Sequence, residues 1–406
     1  DPEHLGMLTA TGCQVSREIT CEMRSATIVV DALLGTGIKG PATGAIAESI
    51  RAINHDFPLA KVVAVDIPSG MPSDTGAPVG ECARADYTIT FTALKVAQLL
   101  PPNCDRIGEL RVSAIGSPSE LFEQNPAIFL SRVEPRQFRH LLAPRAKAGH
   151  KGDYGHALVI GGAAGKAGAA AMAGIAALRA GAGLVTVACS ESSLAAIAPE
   201  LMTVRLPGVA ELAAVVANRD VVALGPGLGT APEIVALART AMNDLPQPMV
   251  IDADGLNALA GAEWSGTGKV RVLTPHPGEM SRLTGKPTSD VQADRVTAAR
   301  TFAISRGVTL VLKGQRSLIA FADGRVWVNP TGTPAMATGG SGDILTGLIA
   351  GLLAQFPGDP DQAVAAAVYL HGLCGELGAR ELGEKSLIAT DLLRYLPAAI
   401  HACATL

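Results

Sequence analysis

The run Gly-Gly-Ser-Gly-Asp at residues 339–343 stands directly before an apolar segment. Apolar residues recur in that segment at intervals of three and four, which predicts a helix starting near Asp343. The first turn of a helix exposes unpaired backbone N–H groups at the positive end of the helix dipole. Because the Gly-Ser-Gly run lacks bulky side chains, this helix start is predicted to bind a phosphate group.

Asp343 is the carboxylate of this run, and two interpretations of it stay open. As a general base it would take a proton from a substrate hydroxyl while the N–H groups hold a transferring phosphoryl group. As an N-cap it would only accept hydrogen bonds from its own helix. Replacement by Asn separates the two, because Asn caps nearly as well but cannot act as a base.

Glycine, histidine and carboxylate residues also follow several predicted strands of the second half of the chain. In doubly wound α/β domains, ligands bind beyond the carboxyl ends of the parallel strands. We therefore expect these strand-end loops to converge on one rim. The five loops are 161–165, 225–229, 252–255, 274–279 and 313–314.

Two of these loops carry residues suited to a nucleotide. The segment from Lys313 to Ser317 holds two cations and a hydroxyl, which indicates either phosphate or ribose contact or a solvated entry to a hairpin. A lone His is usually structural, but His276 lies between prolines and is followed by Glu279, which favours contact with a ligand. Glu279 is predicted to hold Mg²⁺ through water, since Mg²⁺ favours few carboxylates plus phosphate oxygens. His371, on an apolar helix, is interpreted as a core residue.

The first part of the chain carries a weaker pattern. Residues 35–40 fit G-x-G-x-x-G after an apolar run, and a second such run leads to Asp66 and Ser69. Asp31 and Asp66 would then lie at neighbouring strand ends. Two ordinary turns rich in Gly and Pro are the alternative interpretation.

The elements that position these residues alternate between apolar β-branched runs and helical patterns, which is typical of α/β domains. Asp323-Gly324 is predicted as a two-residue hairpin turn, Thr390-Asp391 as a helix cap, and Ile46, Ile50 and Ile53 as one helix face. The predicted strands lie in 26–37, 61–70, 87–95, 108–116, 156–162, 183–188, 220–225, 248–253, 270–275 and 308–314, with a hairpin over 317–329.

Length and composition limit the classes of protein to which this chain can belong. A length of 406 residues predicts two domains, and 48% hydrophobic with 17% charged residues indicates a globular protein. The net charge of −4 argues against nucleic acid as a partner. The seven cysteines include no Cys-x-x-Cys pair, which favours a reducing cytosol. The sequence shows neither an apolar run of membrane-spanning length nor a signal-peptide pattern.

Ordered motifs carry a resemblance to a known family. HKGDYGHALVIGG, ALGPGLG, VIDADGLNAL, TPHPGE, VLKG and GGSGD resemble the ADP/ATP-dependent NAD(P)H-hydrate dehydratases, which have the ribokinase-like fold. The preceding VVDALLGTGIKGP and VAVDIPSG resemble the NAD(P)H-hydrate epimerases. In tandem the two resemble bacterial bifunctional NAD(P)H-hydrate repair enzymes.

This resemblance implies a lyase and an isomerase that act on hydrated nicotinamide cofactors, NADHX and NADPHX. ADP with Mg²⁺ would phosphorylate the C6 hydroxyl of the S hydrate, and loss of phosphate would give NAD(P)H and AMP. The resemblance assigns Asp343 as the catalytic base that also contacts the hydrate, Ala169, Gly227 and His276 as hydrate contacts, and Lys313, Gly314, Gln315, Arg316, Ser317 and Gly342 as the nucleotide site.

For the epimerase, the resemblance implies K⁺ as a cofactor. Carboxylate and hydroxyl oxygens at adjacent strand ends are suitable hard ligands for such a cation. The assigned residues are Asp31 and Ser69 as potassium ligands, and Gly35, Thr36, Gly37, Ile38, Lys39, Gly40, Pro41 and Asp66 as hydrate contacts.

One departure from the family concerns the start of the chain. The Asn-Asn-Gly-Gly-Asp-Gly loop of the epimerases has no counterpart, and the first residue is Asp1. We therefore expect a partial Rossmann-like αβα epimerase domain at 1–120 with weak epimerase activity. A boundary at 121–145 and a ribokinase-like doubly wound αβα dehydratase domain at 146–406 would follow.

Two rival functions remain open. A ribokinase-like kinase of a small hydroxymethyl compound, such as a pyrimidine or thiazole alcohol, would share the Gly-x-Gly-Asp loop. Such kinases tend to have Asn where His276 stands and lack an epimerase-like segment. A nucleotide-binding scaffold without turnover is the other rival, and the presence of Asp343 argues against it. The sequence decides neither ADP against ATP nor NADHX against NADPHX, and the resemblance implies a homo-oligomer.

Overall fold

The computed structural model describes residues 2–16, 18–118, 120–123, 125, 127–192 and 197–405. The chain forms two compact units that divide between residues 125 and 126, inside the range 121–145 predicted as the boundary. That range contributes more than a connection. A strand at Leu130–Arg132 belongs to the sheet of the second unit.

The first unit is built on a parallel sheet of four strands. The strands are β1 (Ile28–Asp31), β2 (Lys61–Val65), β3 (Tyr87–Phe91) and β4 (Glu109–Ser113), in this order across the sheet. The described helices are α1 (Pro2–Ala10), α2 (Gly44–His55), α3 (Val96–Leu99) and α4 (Glu120–Glu123). The four strands and the helix between the first two confirm the predicted element order.

Burial in the first unit departs from the prediction at one edge. On α2, Ile50 is fully buried, but Ile46 is 39% exposed, so the predicted isoleucine face is covered only in part. The edge strand β1 exposes 64% of Ile28 and 61% of Val30. This edge strand therefore leaves apolar side chains exposed to solvent.

The second unit contains a sheet of ten strands in the order β5-β14-β13-β12-β11-β10-β9-β6-β7-β8. Those from β12 to β8 run parallel, whereas β13 is antiparallel to both β12 and β14. The bounds are β5 (Leu130–Arg132), β6 (His156–Ile160), β7 (Leu184–Cys189), β8 (Met202–Arg205), β9 (Val221–Leu224), β10 (Met249–Ile251), β11 (Arg271–Leu273), β12 (Thr309–Leu312), β13 (Leu318–Ala320) and β14 (Val326–Val328).

Helices of the second unit alternate with the parallel strands, as the doubly wound pattern predicts. They are α5 (Ala167–Arg179), α6 (Leu212–Val216), α7 (Pro232–Asp244), α8 (Ala253–Leu259), α9 (Pro277–Thr284), α10 (Thr288–Ala293), α11 (Arg295–Arg306), α12 (Ser341–Gln355), α13 (Pro360–Leu382) and α14 (Asp391–Ala404).

Helix α12 packs closely against α5. A Cβ atom at Gly347 would collide with the carbonyl oxygen of Ala173, and one at Gly351 would lie 2.8 Å from the Cβ of Ala180. Glycine at both positions therefore permits the close approach. The core around these helices holds Ile344, Leu348 and many other apolar side chains, so the start of α12 packs directly against the core.

One local prediction is wrong, and another is confirmed only in part. The hairpin between β13 and β14 has a three-residue loop, because Phe321 N–H donates to the carbonyl of Arg325 and Gly324 has a φ of 90°. This is the loop type with a final left-handed residue, not a two-residue turn. Helix α14 begins at Asp391 with Thr390 as its N-cap residue, as predicted, but Thr390 makes no side-chain capping hydrogen bond, and the Asp391 carboxylate accepts from Ile388 N–H at 3.0 Å.

The seven cysteines, five of them buried, form no disulfide bond within the described part of the chain. Among the described residues, no helix combines the length and the apolar character needed to cross a membrane.

Candidate active sites

The start of α12 has the geometry of an anion site. The helix begins at Ser341, and its N-cap is Gly340, whose φ is 94°. This φ lies in the left-handed region that favours glycine, and a Cβ atom there would also lie 2.6 Å from Cε of Met172. Asp343 is the third helical residue, and no side chain caps the helix. Asp343 is therefore not the N-cap, and that interpretation is wrong.

The first turn of α12 keeps unpaired donors. Within the described chain, the backbone N–H groups of Gly342 and Asp343 donate to no protein acceptor. Behind them, His371 Nε2 donates to the carbonyl oxygen of Ser341 at 2.9 Å. Burial lowers the pKa of His371 to about 4, so this imidazole is neutral. His371 thus supports the loop and does not serve as core alone.

Lys313 brings a cation to the same place. Its Nζ lies 2.7 Å from Asp252 Oδ1 and 3.7 Å from Glu279 Oε2. A Cβ atom at Gly342 would lie 3.4 Å from that Nζ. Burial opposes the charge of Lys313, but the neighbouring carboxylates outweigh it and hold the lysine pKa above its ordinary value. The structure thus brings together the predicted nucleotide residues Lys313 and Gly342.

Asp343 lies in an environment suited to proton transfer. Burial and the negative charge of Asp252 raise its pKa to about 6, with a smaller contribution from Asp254 and opposition from Lys313. A carboxylate with a pKa in this range is still largely ionised near neutral pH and is a stronger base than an ordinary aspartate.

His276 and Glu279 hold each other at the start of α9. His276 Nδ1 accepts from the N–H groups of Gly278 and Glu279, and Glu279 Oε2 accepts from His276 N–H at 2.8 Å. This reciprocal capping box gives His276 a structural role. The His276 side chain is still 52% exposed, and its Nε2 lies 3.6 Å from Oε1 of Glu279, whose side chain is only 7% exposed.

Ala169 and Gly227 lie side by side. A Cβ atom at Gly227 would approach the Cβ of Ala169 to 3.2 Å. The carbonyl of Gly227 accepts from Ala163 N–H at 2.7 Å, and the N–H of Lys313 donates to Pro275 at 2.9 Å. The strand-end loops of the second unit are thus joined to one another, as the shared rim predicts.

Hydrogen bonds within the protein fix most of the segment 314–317. The Arg295 guanidinium donates to the carbonyl of Gln315 at 2.6 Å, and that of Arg316 donates to the carbonyl of Pro330. Ser317 Oγ donates to the carbonyl of Gly314 at 3.0 Å. The predicted nucleotide contacts of Arg316 and Ser317 would therefore compete with bonds that shape the loop.

In the first unit, the predicted potassium ligands meet. Asp31 and Ser69 are both fully buried, and the N–H of Ser69 donates to Asp31 Oδ2 at 2.7 Å. Asp31 Oδ1 is buried without a hydrogen-bond partner. Ser69 Oγ accepts from Leu34 N–H at 2.9 Å, which ties the start of the loop 35–41 to this pair. That loop follows β1 and is largely exposed.

Asp66 is held by a group of donors. Its φ is 68°, and its Oδ1 accepts from Thr90 Oγ1, from the N–H of Phe91 and from Nζ of Lys95, the last at 2.5 Å. Burial alone would raise the pKa of Asp66, but the bonds from Lys95 and Phe91 outweigh it and hold the pKa below its ordinary value. These three donors fix the position of Asp66 Oδ1.

Several supporting residues escape sequence reasoning. Lys95 and Arg295 belong to no motif, and Thr346 resembles any other residue of an apolar helix. Asp252 stands in one of the five strand-end loops, but the sequence does not reveal that its partners are Lys313 and Thr346. The alternation of strand and glycine loop was the available signal, and it locates a rim without assigning its ion pairs.

Comparisons with known proteins agree with this geometry. Residues 157–398 match the family profile of NAD(P)H-hydrate dehydratase, and residues 2–97 match that of the YjeF-related protein N-terminus. The chain is 42% identical over 388 residues to the bifunctional NAD(P)H-hydrate repair enzyme of Moorella thermoacetica, covering 92% of this chain and 72% of that protein. Identity to the Escherichia coli enzyme is 39% over 376 residues, covering 92% and 71%.

Among solved structures, the ADP/ATP-dependent NAD(P)H-hydrate dehydratase from Bacillus subtilis, co-crystallised with ATP and Mg²⁺, is similar. It is 35% identical with a TM-score of 0.63, covering 67% of this chain and 98% of that chain. The expected absence of half the N-terminal domain is not supported, since the family match runs from residue 2 to residue 97 and relatives align over 92% of this chain. The expectation of weak epimerase activity rested on that absence, so it is not supported either.

Proposed function

The chain belongs to the family of bifunctional NAD(P)H-hydrate repair enzymes, and we propose that it restores hydrated NADH and NADPH to the reduced cofactors. The second unit is the dehydratase, a lyase acting on the S hydrate with a nucleotide. The first unit is the epimerase, an isomerase that interconverts the R and S hydrates. The observation that carries the proposal is one arrangement. The Asp343 carboxylate, whose pKa is raised, lies beside the unpaired N–H groups of α12 and the Lys313 ammonium.

The nucleotide site would use Lys313, Gly314, Gln315, Arg316, Ser317 and Gly342. The N–H groups of Gly342 and Asp343 would donate to the terminal phosphate of ADP, and the ammonium of Lys313 would balance its charge. These donors are fixed before the nucleotide arrives, so they stabilise the charge of the transferring group without reorganisation.

The hydrate would bind across Ala169, Gly227 and His276, with its C6 hydroxyl next to Asp343. Asp343 takes the hydroxyl proton as the oxygen attacks the terminal phosphorus of ADP, and AMP leaves. The C6–O bond then breaks with loss of the C5 proton, which restores the ring double bond and releases phosphate. The oxygen atom of the added water departs in that phosphate.

Mg²⁺ fits this site through water. Both oxygens of Glu279 already face donors, His276 N–H at 2.8 Å and the His276 ring at 3.6 Å. A direct bond to the metal would disturb the capping box, whereas a bridging water leaves it intact. When bound, Mg²⁺ would neutralise phosphate charge, and nucleotide oxygens and waters would supply its remaining ligands.

K⁺ fits the first unit. The unpartnered Oδ1 of Asp31 is a hard, anionic oxygen that a buried site rarely leaves without a partner, and Ser69 supplies a neighbouring hydroxyl oxygen. A bound cation would satisfy Oδ1. Asp66 and the loop Gly35–Pro41 would then contact the hydrate beside it.

The decisive assay supplies the purified chain with the separated S hydrate of NADH, Mg²⁺, and ADP or ATP in parallel reactions. Recovery of reduced-nicotinamide absorbance with equimolar release of phosphate is expected. The kinase alternative requires a stable phosphorylated product with no phosphate released. A cytoplasmic location and a homo-oligomeric state stay predictions, which fractionation and light scattering would check.

A further inference from the structure

We propose that Asp252 is a positioning residue for the nucleotide, which holds the Lys313 ammonium and the start of α12 in one fixed arrangement. This inference rests on the proposed nucleotide site of the second unit. Asp252 Oδ1 accepts from Lys313 Nζ at 2.7 Å, and Asp252 Oδ2 accepts from Thr346 Oγ1 at 2.9 Å. One carboxylate therefore joins β10, the end of β12 and α12.

Burial differs between Asp252, the proposed positioning residue, and Lys313, the residue proposed to contact the nucleotide. Asp252 is 2% exposed and Thr346 is fully buried, whereas the Lys313 side chain is 21% exposed. A carboxylate this deeply buried is stable only when it is paired and hydrogen-bonded. Its two oxygens already accept from Lys313 and Thr346, so we expect its influence on nucleotide binding to pass through Lys313.

Asp252 matters for nucleotide binding because it sets the position of the Lys313 ammonium relative to α12. A Cβ atom at Gly342 would lie 3.4 Å from Lys313 Nζ and 3.6 Å from Asp252 Oδ2. A lysine ammonium sits on a flexible stem and samples many rotamers unless a partner fixes it. Glu279 is a more distant partner at 3.7 Å, so Asp252 determines where the cation stands beside the helix N–H groups.

The test compares Asp252→Asn, Lys313→Met and the double variant by steady-state kinetics of S-hydrate dehydration. Asn keeps the shape of the side chain but removes the ionic anchor. We expect the KM for ADP to rise about tenfold in Asp252→Asn, the loss typical of one charge-assisted hydrogen bond, while the KM for the hydrate stays within about twofold. Because Asp252 acts through Lys313, the double variant should match Lys313→Met alone.

Matched controls exclude a general loss of stability. Asp361→Asn removes the partner of Arg325 from another ion pair of the second unit, 2.7 Å long, and Thr186→Val removes a buried hydroxyl that bonds to His156. Both should leave the KM for ADP unchanged. Thermal unfolding without nucleotide reports whether each variant is folded. If Asp252→Asn does not fold, Thr346→Val removes the other anchor and should raise the KM for ADP about threefold.

Distinct results overturn the inference and the proposed function. An unchanged KM for ADP in folded Asp252→Asn, or a second tenfold loss when Asp252→Asn is added to Lys313→Met, overturns the positioning role alone. An unchanged KM for ADP in Lys313→Met overturns the nucleotide site itself. Absence of nucleotide-dependent dehydration by the unmodified chain overturns the proposed function.

Discussion

Each unit holds one aspartate of its proposed site, and the two environments shift the aspartate pKa in opposite directions. In the first unit, Asp66 accepts three hydrogen bonds on one oxygen, and its pKa is held below the ordinary value despite burial. In the second unit, Asp343 makes no side-chain hydrogen bond within the described residues, and burial with the charge of Asp252 raises its pKa to about 6. The same side chain is fixed in one unit and left available in the other.

This difference matches two kinds of work. A carboxylate held by several donors is permanently ionised and precisely oriented, but it is a weak base. A desolvated carboxylate with a raised pKa accepts a proton more readily at neutral pH. The comparison therefore favours a proton-accepting role for Asp343 and an orienting, charge-providing role for Asp66.

Removing the base of the second unit should have the largest effect. Asp343→Asn keeps the size of the side chain but cannot accept the hydroxyl proton, so dehydration should slow by about 10²–10⁴-fold. Epimerisation, measured in the same sample by separating the R and S hydrates, should be unchanged. Retention of more than a tenth of the dehydration rate would contradict the assignment of Asp343 as the base.

Asp66→Asn should have the next largest effect, confined to the other reaction. The variant loses the charge that holds Lys95 and that we propose orients the hydrate, and we expect epimerisation to fall about 10–100-fold. Dehydration of purified S hydrate should continue at the normal rate, which also controls for folding. Equal loss of both activities would show that the two aspartates do not act independently.

The pH dependence should separate the two reactions more finely. In the proposed mechanism dehydration requires ionised Asp343, so kcat/KM should fall as the pH drops through about 6, tenfold per unit below that value. Asp66, the proposed epimerase residue, has a lowered pKa, so the acid limb of epimerisation should lie at lower pH. Parallel assays between pH 5 and 8 check this order, and coincident acid limbs would contradict it.

How much the sequence predicts can be judged from these same residues. Each loop of the rim follows an apolar strand, so periodicity and glycine predict that the loops lie together. The start of α12 is predicted by the spacing from Ile344 to Leu353. Both predictions depend on local patterns, and the structure agrees with them to within a few residues.

Long-range pairs lie beyond such patterns. Asp252 and Thr346 are 94 positions apart, and Asp66 and Lys95 are 29 apart, so only the folded chain reveals that they meet. The hairpin turn and the missing side-chain hydrogen bond of Thr390 escape prediction for another reason. Their residue types suit several turn geometries of similar energy, and the flanking strands and helices decide among them.

Lys95→Met should have the smallest effect at neutral pH, yet it sharpens the comparison most. Loss of the cation removes a group that favours ionised Asp66, so the pKa of Asp66 rises and the acid limb of epimerisation moves to higher pH. At pH 7 the carboxylate stays ionised and the rate should change little, whereas at pH 5 the loss should be larger. Lys61→Met, which removes the 2.8 Å partner of Asp86 in the same unit, is the control and should leave the profile in place. An unshifted acid limb in Lys95→Met would mean that Phe91 and Thr90 alone fix the charge of Asp66.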